Sequence, residues 1–318
     1  MIINSANIKM WSKIGPRGMF GLTLHSLAET NKDILVLTAD LGQTSGLERF
    51  KTTYPERFIN TGIAEQNMMG MAAGLTKEGY NVFCSTFATF ASMRSFEMAK
   101  LNMGYMNFNI KLVGLASGFA MGFFGNTHYS TEDIALMRTI PNLCILSPAD
   151  CTEVVKVVSQ AATHNGPIYI RLTGTANCPI VYPDDYNFEI GKAITLKEGS
   201  DIAIFATGSM VYQSLEAAKI LNANNISAAV INMHTLKPLD TKIITQHKNK
   251  KLIVTVEEHS IIGGLGCAIS EFISKDSYPK HLTIGSDDSF KKAGSYKYML
   301  EQNGLTAQQI ANKIINAS

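Results

Sequence analysis

The sequence predicts an α/β protein with two largely parallel sheets, and three observations carry that expectation. Short β-branched, apolar runs alternate with longer helix-like stretches. The alternation breaks once, at a polar stretch containing Pro179, Pro183, Asp184 and Asp185, and then resumes. The chain has 318 residues, about twice a typical single domain.

The elements follow in order. Asp33–Thr38 reads as a buried strand, Gln66–Lys77 as a small-residue helix and Asn81–Cys84 as a strand. Phe87–Met103 reads as a helix and Ile110–Ala116 as a strand, followed by a glycine-aromatic loop to Asn126. Thr131–Thr139 is a helix stopped by Pro141, Cys144–Ser147 a strand, Cys151–Thr163 a helix and Pro167–Leu172 a strand. After the break come strand Asp201–Ala206, helix Val211–Asn222, and strands Ser227–Asn232 and Leu252–Glu257. Helices over Gly264–Ser274 and Thr306–Asn316 complete the chain. The expected organisation is one domain over 1–182, a linker over 183–188 and a smaller domain over 189–318.

Composition excludes several classes. Hydrophobic residues make up 46% and charged residues 17%, with a net charge of +2, which supports packed cores and argues against disorder. No dense basic cluster suggests nucleic-acid binding. Apolar runs are too short and interrupted for a membrane span, and the N-terminus has no apolar signal core. The five cysteines form no CxxC pair and read as reduced thiols of a cytoplasmic protein. Low charge combined with 15 methionines hints at apolar surface covered by another chain.

Among chemistry-bearing motifs, a Walker loop and a GxGxxG turn are both absent. Gly263–Gly266 (GGLG) reads as a turn into a helix, whose N-terminus could hold an anion. Glu65, in INTGIAEQNMMGMAAG, reads on local features as an acid in a helix's first turn. Phe87 and Phe90, three apart in STFATF, would share one helix face and could simply pack a core. The loop GFAMGFFGNTHYSTED ends a strand region and carries Thr127 and His128. Such loops commonly line sites at a parallel sheet's carboxyl edge.

Taken together, GIAEQNMMGMAAGL, STFATF, GNTHYSTEDIALMRTIPN, PAD and TVEEHSIIGGLG resemble the C-terminal half of transketolases. The two-subunit, split transketolase-like proteins are the nearest in pattern, and the resemblance runs from about Gly15 to the end. It implies two doubly wound domains, a pyrimidine-binding domain for thiamine diphosphate and a smaller transketolase C-terminal domain. It also implies transfer of a two-carbon ketol or acyl unit between sugars through a carbanion on that cofactor.

The resemblance assigns roles residue by residue. Glu65 matches the acid that hydrogen-bonds the cofactor's aminopyrimidine, and burial beside an aromatic ring would suit its donating form. Phe87 and Phe90 match the aromatics that pack on the pyrimidine. Asp40 and Leu41 match residues near the thiazolium, and Leu41 with Ile63 would press the cofactor into its bent form. His128 matches a substrate-pocket histidine. Arg17 and Thr44 match contacts to a sugar phosphate, although a lone arginine is usually a surface residue.

A Mg²⁺ ion normally anchors the diphosphate through a Gly-Asp-Gly segment and a later Asn, and this chain has no Gly-Asp dipeptide. The resemblance therefore implies an N-terminal partner subunit carrying the Mg²⁺ ligands, in a two-plus-two assembly. The segment MGFFGNTH lacks the acid found there in ordinary transketolases, and the phosphate-binding Arg usual near Thr173 and Gly174 is missing. Both departures point away from pentose phosphates and toward a modified or nucleotide-linked sugar. Two other readings stay open: the β subunit of a 2-oxo acid dehydrogenase, and a non-catalytic scaffold.

Overall fold

A computed structural model describes residues 1–318. Twelve strands form two sheets. The first sheet contains β1 (Ile34–Thr38), β2 (Phe58–Asn60), β3 (Asn81–Phe87), β4 (Ile110–Ser117), β5 (Cys144–Leu146) and β6 (Ile168–Thr173). The second contains β7 (Ile194–Lys197), β8 (Ile202–Ala206), β9 (Ala228–Asn232), β11 (Leu252–Ser260) and β12 (Lys280–Ser286). One short strand from this later part of the chain, β10 (Thr235–Lys237), joins the first sheet instead, antiparallel to β5.

Strand order in the first sheet is β10-β5-β6-β4-β3-β1-β2, and all pairings except that of β10 are parallel. The second sheet runs β12-β11-β8-β9-β7, with β7 antiparallel at the edge. In the first sheet β1, β3, β4, β5 and β6 are buried along their whole length, as expected of strands covered by helices on both faces. The chain moves outward from β1 to β2 on one side, and then to β3 and β4 on the other. This reversal creates a crevice at the carboxyl ends of β1 and β3, where open α/β sheets hold ligands.

Two helices not expected from the pattern, Ser5–Ile14 and Pro16–Ala28, open the chain. Their side chains Trp11, Met19, Phe20 and Leu24 are buried in the core beneath β1 and β6. Phe87–Met103 is not one helix. Phe87 closes β3, and the following segment is a π-helical turn (Phe90–Arg94), a single α turn (Phe96–Ala99) and a second π turn (Lys100–Tyr105). A continuous apolar run cannot reveal where a strand hands over to a helix, so the aromatics do not share a helix face.

The GGLG turn does precede a helix, Leu265–Ile273. Its N-terminus already holds an anion of its own, because Glu257 accepts from Leu265 N at 2.7 Å and from Gly266 N at 2.8 Å. Burial nevertheless pushes Glu257 up to about 7.

Candidate active site

The carboxyl edges of β1 to β4 bring most of the expected residues to one place. Glu65 starts the helix Glu65–Lys77 and is only 1% exposed. Its carboxylate accepts from Thr86 Oγ1 on β3 at 3.3 Å and from Arg94 Nη1 at 3.0 Å. Neither partner stood out in the sequence. Its hydrogen-bond partners are thus a hydroxyl and a guanidinium, and the guanidinium also lies over the Phe90 ring.

Phe87, Phe90 and His128 form an aromatic cluster near this edge. Ring centroids are 6.2 Å apart for Phe87–Phe90, 6.2 Å for Phe87–His128 and 5.8 Å for Phe90–His128. The two phenylalanines differ in placement. Phe87 is buried in the core with Phe83, Val113 and Leu115, whereas Phe90 is partly exposed. His128 Nδ1 lies 2.9 Å from Thr127 Oγ1, which fixes the ring's orientation from the loop side.

Asp40 and Leu41 follow β1 directly. Asp40 adopts a left-handed backbone (φ 58), a conformation uncommon outside glycine. Asn60 at the end of β2 holds it: Asn60 Nδ2 donates to Asp40 Oδ1 at 2.9 Å, and Asp40 N donates back to Asn60 Oδ1 at 3.1 Å. Leu41 is half-buried and Ile63 is exposed, so Ile63 stands as an apolar side chain facing outward from the loop before Glu65. Asn60 was legible within the INTG segment but carried no distinctive spacing.

Arg17 and Thr44 lie together. They line one cavity of about 360 Å³ with Gln43, Gly46 and Thr175. Burial pulls the Arg17 guanidinium below its ordinary value. The loop before His128 carries two exposed aromatics, Phe123 and Phe124, and the Phe124 ring lies 5.2 Å from that of His128. No group of three His, Cys, Asp or Glu side chains is arranged to hold a metal ion, and no helix is long and apolar enough to cross a membrane.

This arrangement can do two things chemically. It offers the face of the partly exposed Phe90 ring near a buried carboxylate, suited to a planar heterocycle that is stacked and hydrogen-bonded at one edge. It also offers a cationic cavity at the mouth of the same sheet edge, suited to an anionic group.

Comparison with known proteins agrees with the sequence motifs. Residues 12–178 match the model for the transketolase pyrimidine-binding domain, and 191–310 match the model for the transketolase C-terminal domain. A Methanocaldococcus jannaschii chain named for a transketolase C-terminal section is 41% identical over 304 residues, covering 95% of each chain. A 6-deoxy-6-sulfo-D-fructose transketolase subunit from a Clostridium species is 38% identical, covering 89% of this chain and 88% of that one. A solved structure described as a split gene transketolase, inactive β4 tetramer, superposes with a TM-score of 0.86 at 40% identity, covering 95% of this chain and 97% of that one. The chain belongs to the transketolase family, as a split, transketolase-like subunit with the pyrimidine-binding and C-terminal domains. Membership implies dependence on thiamine diphosphate.

Proposed function

We propose that this chain is the C-terminal subunit of a two-subunit transketolase-like enzyme. It would transfer a two-carbon unit between sugars and work only with an N-terminal subunit that carries the diphosphate and Mg²⁺ sites, in a two-plus-two assembly. One observation carries the reading: buried Glu65 lies at the same sheet edge as Phe87, Phe90 and His128. A family-related fold kept only as a scaffold would have no need of that set.

The residues present fit the pyrimidine half of thiamine diphosphate. Glu65 would hold the ring edge, Phe90 its face, and Leu41 with Ile63 the bend toward the thiazolium. Asp40, held by Asn60, would face the thiazolium side. When bound, the cofactor supplies the nucleophilic carbon that accepts and passes on the two-carbon unit. Glu65, as the one carboxyl group at the ring edge, would hold the proton that keeps the aminopyrimidine reactive. His128, half-exposed at the rim, would exchange protons with substrate hydroxyls.

The same geometry supports a specialised, anionic sugar as substrate. Arg17 and Thr44 would take a phosphate or similar group in their shared cavity. Phe123 and Phe124 replace hydrogen-bonding groups with apolar surface, and an unpaired polar hydroxyl there costs about 1–3 kcal/mol. Relatives are named for 6-deoxy-6-sulfo-D-fructose and for apulose-4-phosphate, sugars outside the ordinary pentose set. Reconstitution with the diphosphate-domain subunit, thiamine diphosphate and Mg²⁺ tests the proposal. The pair should consume a modified ketose phosphate or sulfonate faster than xylulose 5-phosphate. Turnover by this chain alone would overturn the two-subunit reading, and a preference for the ordinary pentose would overturn the specialised substrate.

A further inference from the structure

Arg94 bridges the acid and one of the aromatics of the pyrimidine site proposed above. Its guanidinium lies 4.3 Å from the centroid of Phe90 and 3.0 Å from Glu65 Oε2. These are the two contacts an aminopyrimidine would need, a face on the aromatic and an edge on the acid. The π turn Phe90–Arg94 sets this up: Ser95 N reaches back to Phe90 O at 3.2 Å, and residues four apart on such a turn lie one above the other. The side chain is 47% exposed while Glu65 is 1% exposed, so the arginine closes a buried carboxylate from the solvent side.

We propose that Arg94 is a self-ligand of the pyrimidine site. It holds Glu65 and Phe90 in the free chain, and it must swing outward before the aminopyrimidine of thiamine diphosphate can stack. A guanidinium only donates, so Glu65 only accepts while Arg94 is in place. A bare ring nitrogen needs a carboxyl oxygen to donate, and the oxygen that accepts from Arg94 is not free to do so until the arginine leaves. Arg94 therefore protects a costly buried acid while the cofactor is away and slows cofactor entry. The inference rests on the proposed cofactor role of Glu65.

Arg94→Met keeps the side chain's length and apolar stem but removes its charge and donors. Calorimetric titration of thiamine diphosphate with Mg²⁺ into the reconstituted pair should show about three- to tenfold tighter binding for Arg94→Met. Stopped-flow mixing should show the gain as faster association, with the dissociation rate unchanged. Affinity equal to wild type, or weaker, overturns the self-ligand and makes Arg94 a support of the bound site. If Arg94→Met fails to assemble, Arg94→Gln supplies the same comparison with a neutral planar group. Absence of binding by both wild type and variant would overturn the cofactor reading itself, and the self-ligand with it.

Discussion

Two fully buried glutamates end in opposite ways. Glu258, on β11, is saturated: Phe119 N donates to one oxygen at 2.6 Å, and Ser209 Oγ and the Tyr296 hydroxyl donate to the other. Its backbone carbonyl accepts from Arg171 Nη2 at 2.7 Å, and Arg171 in turn grips Asp133 through Nε at 2.9–3.0 Å. A Cβ at Gly118 would run into the Glu258 carboxylate, so that glycine is needed for the approach. Glu65 has instead one weak hydroxyl partner and one half-exposed arginine. A carboxylate locked by several rigid donors holds two domains together, and one closed by a single movable cation is available for ligand exchange.

The same substitution at both positions exposes the difference. Glu65→Gln removes the acid proposed to hold the ring edge and should lower turnover of the assembled enzyme by about 100- to 10,000-fold, with the thermal unfolding midpoint near wild type. Wild-type turnover would reject the assignment. Glu258→Gln puts an amide N–H against groups that donate, and should lower stability by about 1–3 kcal/mol in urea titrations. Turnover per folded molecule should be retained. Loss of turnover at unchanged stability would show that the domain junction acts in chemistry.

The junction should also carry a pH signature. Glu153 is fully buried, accepts from Ala149 N, Asn232 Nδ2 and the Tyr186 hydroxyl, and is pushed up to about 7 by burial. Its ordinary value is 4.5, so between these pH values the folded chain binds more protons than the unfolded one. Its contribution to stability therefore falls as pH rises through that window, by about 1–3 kcal/mol. Urea midpoints at pH 5 and pH 8 should drop more for wild type than for Glu153→Gln, and identical drops would contradict this. The smallest effect is at the aromatic wall. Phe90→Ala should weaken thiamine diphosphate binding about two- to tenfold without unfolding the chain. Phe87 is the poorer probe, since its burial in the core makes truncation cost stability first. An unchanged affinity in Phe90→Ala would mean that the ring only packs.

The strands legible in the sequence are those buried on both faces, where an unbroken β-branched run has one reading. β1, β4, β6, β8 and β9 lie within a residue or two of expectation. β2, β7, β10 and β12 escaped because they are short or edge strands with mixed exposure. The opening helices escaped because their burial depends on β1 and β6, far along the chain. Within the site, Glu65 and His128 were visible through motifs. Arg94 was not, because its role arises from a π turn that local periodicity does not signal. The junction was equally hidden: Asp133, Arg171 and Glu258 meet only in three dimensions.

Calorimetric titration of thiamine diphosphate with Mg²⁺, into this chain alone and into the chain combined with the proposed diphosphate-domain partner, tests the proposed shared site most directly. Tight binding by the pair, with weak or no binding by the single chain, is the expected result. Equally tight binding by the single chain would contradict a site completed by a second subunit.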